Sequence, residues 1–550
     1  MSATVRYYDI DRENTNALNL KIYGSYNSLS DVPGDTLSGQ FLLDNYDTPN
    51  YLSFDGNGID LKDKNKKFYS EGDYVGYISG SVSDSSKQLG NCGLMFNRKS
   101  TESFSEFKKG ITFVFYGNCC SKMYAMYRNG NTEAFLEEEI TVGKEIFTFI
   151  PSSEFAFLEL YFTETVLPYQ SVKLSDIKIG KVTVLDKLQN IELLEEINVL
   201  SDDLPINSLN FTAVIKNGNE IKSGNPVTVH SNQKYYGTFY IDEIERIAEN
   251  IYSVKALNSI KILDKAKCLD WHMGADFSSL SNMIKIITGI TVGADDYNCE
   301  VFGHVPIESC RYALCMYAFA CRLMIDSSRS NQILLKPIPT AVTSVITSAD
   351  RRIIGNSSYT KNKAVKQSKI QYAANYTSTD ETLSVKCTPE VKTVIYTEKP
   401  VLWIDESVTD EYYVSSYMDN WIEVTSHTDN AFSITVAVIN YTYQNETVNN
   451  ILAEENNEKD FSKLNLRGIK VNADGTTVQL PPYKKQDILK YMQSTGTVKT
   501  KIRLRNERVG DLIQIETAYD GLITGIITSM NISFGYEDLA DIEVLEWQNG

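Results

Sequence analysis

Histidine is the side chain that most often moves protons near neutral pH, and this chain has four. His230 falls in a strand-like run, His272 beside Trp271, His304 ahead of Pro306 and His427 in a polar turn. None carries a motif around it. Cys119 and Cys120 are adjacent, while Cys310, Cys315 and Cys321 share one short segment. No CxxC pair occurs, and no histidine stands at a finger-like offset from a cysteine. The nine cysteines therefore read as buried free thiols without zinc. There is no GxSxG elbow, HExxH, P-loop or GxGxxG unit. Glu137–Glu139 reads as a solvated turn rather than an acid–base pair. Asp295–Asp296 lacks the downstream Glu of a calcium loop. No catalytic residue, metal ligand or cofactor is expected, so the chain reads as something other than an enzyme.

Two residue groups are better suited to contact than to catalysis. Tyr116, Tyr124 and Tyr127 lie on strand-like runs where an exposed ring can stack on a saccharide. Filling the core of a two-sheet sandwich is the alternative for the same rings. In the basic run Lys501–Arg508 (KIRLRNER), alternation puts Lys501, Arg503 and Arg505 on one side and Ile502 and Leu504 on the other. That pattern fits a solvated strand face, the lining of a polar lumen, or a subunit contact.

The elements that must position these residues are mostly strands. The 550 residues include 34 Tyr and 22 Phe, rich in Asn, Ser and Thr beside them, and long Ala/Leu/Glu/Lys blocks are nearly absent. A net charge of −18 disfavours broad nucleic-acid binding. No apolar run reaches the roughly 18 residues of a membrane helix, and the start lacks a secretory signal. Synthesis in the cytoplasm without membrane insertion is the expectation. Residues 1–185 show short strands at sandwich spacing, and the KNGNE stretch (216–220) carries an Asn-Gly hairpin signal. Helices are expected over Phe277–Thr288, closing at Gly289, over Ile307–Ile325, and over Gln486–Thr495, with a strand at Gln332–Pro337.

Leu204–Phe211 (LPINSLNF), Gly237–Glu243 (GTFYIDE) and Ile260–Lys265 (IKILDK) resemble, in that order, motifs of the tail hub family of long-tailed phages of Gram-positive hosts. Val305–Asp326 with Ser327–Ser330 resembles that family's "I-P…R-E-A-L…A-F-A…D-x-S-R-S" segment. Val509–Ile526 resembles its "V-G-D…T-x-Y-x-G-x-I-T-G" close. His304 stands where a tryptophan is usual, and cysteines replace small or polar positions of the helix.

The resemblance implies a mainly β chain: an N-terminal jelly-roll sandwich, then tail-tube-like β-barrel hub domains with one small α/β insert. The implied division is 1–185 jelly-roll, 186–265 first tube-like domain, 266–340 α/β domain, 341–380 start of the second tube-like domain, 381–460 β-rich insert, and 461–550 remainder of the second. It implies a homotrimeric ring at the tip of a virion tail, capping or extending the tail tube. Expected partners are tail-tube, distal-tail, tape-measure or other baseplate proteins, with DNA only in transit and host cell-wall saccharide a candidate ligand. Ending at Gly550, the chain is expected to leave no room for a lysin.

Overall fold

The structure is a computed structural model that describes residues 3–9, 18–23, 52–53, 59–60, 69–71, 74–78, 87–89, 93–98 and most of 110–547. The chain is mainly β, as its composition predicts. It divides into two compact units, one of Val5–Asp186 with Lys216–Val227, the other of Met1–Thr4, Lys187–Ile215 and Thr228–Gly550. KNGNE, Gly289 and Asp295–Asp296 lie outside the described residues.

The smaller unit is built from two antiparallel sheets. One runs Leu136–Thr141, Cys120–Arg128, Phe157–Thr165, Gly93–Arg98, Leu18–Tyr23, Leu52–Ser53; the other runs Ile146–Phe149, Ile111–Phe115, Lys173–Ile179, Tyr74–Ile78, Tyr69–Glu71. Their inner faces meet edge-to-face, Phe115 on Phe162 at 6.0 Å and Tyr127 on Phe149 at 6.4 Å between centroids, a favoured aromatic geometry. Every residue of Ile111–Phe115 is buried, because Tyr8 packs against Ile146 on the outer side of that sheet.

In the larger unit, one sheet runs through both regions that the sequence divides into separate tube-like domains. Its strands follow the order Lys234–Ala248, Ile251–Leu257, Ser208–Val214, Leu188–Glu196, Leu522–Ser533, Leu539–Glu546, Gly496–Arg503, Arg352–Lys361. The seam is the antiparallel pairing of Glu192–Glu196 with Ser533–Ser529. Each unpaired sheet edge exposes backbone donors and acceptors, and this pairing removes one edge from each half.

Against this sheet stands an α/β core holding helices α1 (Ile260–Lys265), α2 (Phe277–Thr288), α3 (Cys310–Cys321) and α4 (Lys485–Gln493). Apart from Arg311 and Tyr312 in its first turn, α3 is apolar and buried, and Ala313, Ala318 and Ala320 are wholly enclosed. Ser309 caps it by accepting a hydrogen bond from the Tyr312 N–H at 3.2 Å. The helix ends sooner than its apolar run suggests: Arg322 turns left-handed at φ 61°, and the apolar residues after it form the strand Leu323–Asp326. Residues 461–493, assigned by the sequence to the second tube-like domain, join this core instead through Phe461, Leu464, Ile488 and Met492.

From the α/β core a two-stranded ribbon, Gln367–Val385 with Phe432–Asn449, carries the insert. Its root is buried at Ile370 and Val448, and residues 375–380 are exposed on both faces. Beyond them the ribbon enters a second, separate core of Val385, Val401, Tyr412, Ile422, Val436 and neighbours. The root is seated by Arg467, whose guanidinium lies 4.7 Å over the Phe302 ring and donates to the Ala374 carbonyl at 3.1 Å.

Candidate functional site: a buried clamp and a charged strand face

The side chains with the most perturbed surroundings are ones the sequence does not single out. Glu195 lies in the strand Leu188–Glu196, in register with buried Leu193 and with Ile197 just beyond it, so it points into the core at 0 % exposure. Arg329 meets it there. Its Nε donates to both carboxylate oxygens at 3.1 Å, and Nη2 donates to Oε2 at 3.0 Å. The Arg329 backbone is held at φ +46°, a conformation that non-glycine residues adopt rarely. The guanidinium also covers the Tyr236 ring at 5.0 Å. Tyr236 donates to Asp538 Oδ2 and Ser231 to Asp538 Oδ1, both at 2.9 Å.

The Arg329 loop is tied down residue by residue. Asp326 Oδ1 accepts from the Ser328 N–H at 2.8 Å and from its hydroxyl at 2.6 Å, while Lys336 Nζ holds Oδ2 at 2.5 Å. The Ser327 hydroxyl accepts from Asn258 at 2.9 Å and from Asn207 at 3.3 Å. The D-x-S-R-S pattern, Asp326 to Ser330, is therefore a clamp that locks the α/β core onto the sheet seam. Burial pushes the Glu195 carboxyl up against the pull of Arg329, and burial with Asp538 pushes the Tyr236 hydroxyl well above its usual range.

Burial, then Glu543, also raises the Glu196 carboxyl. A carboxyl whose folded value lies above its unfolded value takes up a proton on folding. Its stabilisation is present below about pH 4 and is lost as pH rises through the raised value. Glu196→Gln removes this titration. Chemical denaturation between about pH 4 and 7 should show wild-type stability falling relative to the variant, by under about 1 kcal/mol. Parallel curves would refute that role for Glu196.

The basic strand is placed as the alternation predicts up to Arg503. Ile502 is buried, and Lys499, Lys501 and Arg503 share the outward face. Each meets an acid of the neighbouring strand or its preceding turn: Lys499 pairs with Glu543, Lys501 with Asp541 at 3.2 Å, and Arg503 with Glu537 at 3.3 Å. The face is a ladder of compensated charge, and Lys499 is its member missed by sequence. Arg505 lies beyond the strand end. Its carbonyl accepts from Lys234 Nζ at 2.9 Å, so it belongs to a turn rather than to the face.

The tyrosines separate. Tyr116 lies outside the described residues. Tyr127 is 1 % exposed and fills the sandwich core, so its ring offers no face to a saccharide. Tyr124 is half-buried at the sheet surface, where its hydroxyl donates to Glu137 Oε2 at 2.6 Å; that bond, chiefly, raises the hydroxyl above its usual range. Glu137–Glu139 is accordingly part of a strand, Leu136–Thr141, and not a turn.

Cys299 and Cys321 form a disulfide, which corrects the free-thiol reading for both; Cys119, Cys120, Cys310, Cys315 and Cys387 are buried and take no part in it. His230 hydrogen-bonds Thr228 at 3.1 Å, His304 stacks on Tyr441, and His427 meets Glu390 at 2.9 Å. His272 pairs by backbone with His304 in a short ladder.

No family model matches the chain, and no curated protein is similar to it. Among solved structures it is similar to the 43 kDa tail protein of prophage MuSo2 from Shewanella oneidensis, with 10% identity, 67% of this chain and 96% of that one covered, and a TM-score of 0.40. A tail protein from Neisseria meningitidis MC58 is similar at 8% identity over 67% of this chain and 95% of that one, with a TM-score of 0.41. Prophage tail protein gp18 from Listeria monocytogenes EGD-e is similar at 7% identity over 66% of this chain and 91% of that one, with a TM-score of 0.37. All three share 10% identity or less with this chain.

Proposed function

We propose that the chain is a structural hub of a phage tail or baseplate. Three copies form a ring around a channel that continues the tail tube, and the ring anchors tip proteins. The observation that carries this reading is the continuous sheet in which two β regions of one chain join at Glu192–Glu196 and Ser533–Ser529, clamped through Arg329. Two such regions per chain give a trimer six around the ring. The clamp residues fall in the D-x-S-R-S segment that resembles the family, so the resemblance extends to residues with a structural task.

In this reading the chain catalyses nothing and holds no cofactor. It sits in the virion tail tip and touches tail-tube, distal-tail, tape-measure or other baseplate proteins, with DNA passing through. The smaller unit serves as the jelly-roll module that projects outward; among its described tyrosines named above, a saccharide contact falls to Tyr124, since Tyr127 is core. Light scattering and class-averaged electron microscopy of the purified chain test the hub. Trimeric mass and a ring are expected, and a monomer that forms no ring even with tail-tube protein overturns it.

The charge ladder gives a second test. Changing Lys501, Arg503 and Arg505 together to Ser strips exposed cations from beside Asp541 and Glu537. Exposed pairs contribute little, so the monomer should lose under about 1 kcal/mol in urea unfolding. Ring assembly or DNA delivery should fall much further, because the face becomes a wall of unopposed carboxylates. A loss confined to folding would make the ladder merely structural.

A further inference from the structure

The insert carries a sheet face that the hub reading leaves without a task. Its three-stranded sheet orders Lys392–Tyr396, Trp421–Ser426 and Tyr412–Met418. The inner face is taken by Ile395, Ile422 and Val424, which close the insert's own core. The other face looks to solvent. On it Tyr396 is 66 % exposed and stands opposite Trp421 in the register, which sets their Cβ atoms about 5 Å apart.

Two residues along the same strand, about 6.7 Å away, is Glu423. It accepts from Lys392 Nζ at 2.9 Å and from the Ser415 hydroxyl. At the far end Tyr413, again exposed, pairs with Thr425. The face thus carries rings toward both ends of Trp421–Thr425, with Glu423 between them beside Val394, which stands opposite it in the register and is 44 % exposed. Ser415 first and Lys392 second hold the Glu423 carboxyl below its ordinary range, so it remains an acceptor near neutral pH.

Ring faces bind apolar C–H surface, and a pre-oriented carboxylate with hydroxyls beside it accepts and donates to hydroxyl groups. A saccharide presents both kinds of group around one ring. A protein partner would favour a more continuous apolar patch, with charges kept to its rim. Charge narrows the class further. Between Lys386 and Asp429 nine acidic residues face three basic ones, a net of −6, which repels polyanions and a second copy of the insert alike. We propose that the outer face of Lys392–Tyr396 and Trp421–Ser426 binds a neutral or amino-bearing saccharide, with Tyr396 and Trp421 stacking on it and Glu423 accepting its hydroxyl or ammonium hydrogens. This site lies in the insert, apart from the tyrosines of the smaller unit, and does not depend on ring assembly.

Isothermal titration of the full chain with maltohexaose, chitotetraose and deacetylated chitotetraose, each to about 5 mM, tests it. At least one should bind, while poly(glycerol phosphate) should not. Tyr396→Ala, at an exposed position, should weaken binding about tenfold and Glu423→Gln several-fold, with the circular dichroism spectrum unchanged. Tyr443→Ala, an exposed tyrosine on the ribbon, should bind as wild type. The assignment is overturned if none of the three sugars binds, if Tyr396→Ala binds as wild type, or if the polyanion is preferred. Self-association lost in Tyr396→Ala, without sugar binding, would give the face to a second copy instead.

Discussion

Arg329→Ala is expected to cost the larger unit about 3–5 kcal/mol, read as a fall in the urea midpoint of its unfolding transition. The variant leaves Glu195 enclosed without the guanidinium that donates three hydrogen bonds to it, so the carboxyl is either carried as an unpaired buried charge or must take up a proton. It also uncovers the Tyr236 ring. The cost is that of a stranded charge and not the worth of the pair. Two charges taken from water lose about as much solvation as they regain from each other. Glu195→Leu combined with Arg329→Met should therefore recover most of the lost stability. That result would separate desolvation from contact. A single variant within about 1 kcal/mol of wild type would mean that water reaches Glu195, against its burial.

Removing the disulfide, as Cys299→Ala with Cys321→Ala, is expected to cost roughly 3 kcal/mol. The bridge closes a loop of sequence separation 22 in the unfolded chain. It also ties the strand Cys299–Phe302 to the C-terminal end of α3. Excess dithiothreitol should lower the wild-type midpoint by a similar amount and leave the double variant where it is. A wild-type midpoint that dithiothreitol does not move would show that the bridge contributes no stability.

What the sequence reveals of this fold depends on whether a residue's task is local. α2 is legible to the residue over Phe277–Thr288, because its apolar spacing and its own serines carry the signal. α3 is read too long: an apolar run continues through a helix-to-strand turn, and the turn is made by an arginine at positive φ instead of a glycine. The ribbon strand Gln367–Val385 carries no period-2 pattern over residues 375–380, which are exposed on both faces, so its full length is not legible from alternation. In the candidate sites, Lys501 and Arg503 are legible from alternation alone. Their acidic partners lie some forty residues on in the chain, and nothing in KIRLRNER points to them. Glu195 leaves one faint mark, a carboxylate in the register of Leu193 and Ile197. The pairing of Cys299 with Cys321 leaves none, because it depends on how the α/β core closes.

The ribbon has a consequence for how such a chain changes over generations. The α/β core meets the insert's ribbon along its root, from Ile370 and Val448 out to Tyr376 and Tyr441, which pack near Phe302, and the insert closes a core of its own farther along. Mutations past residue 380 are thus buffered from the clamp and the seam. With the ladder register at the root preserved, the insert can change without disturbing the packing of the body. The ribbon works as a graft union: the exposed end can vary while the packing of the body it joins is left intact.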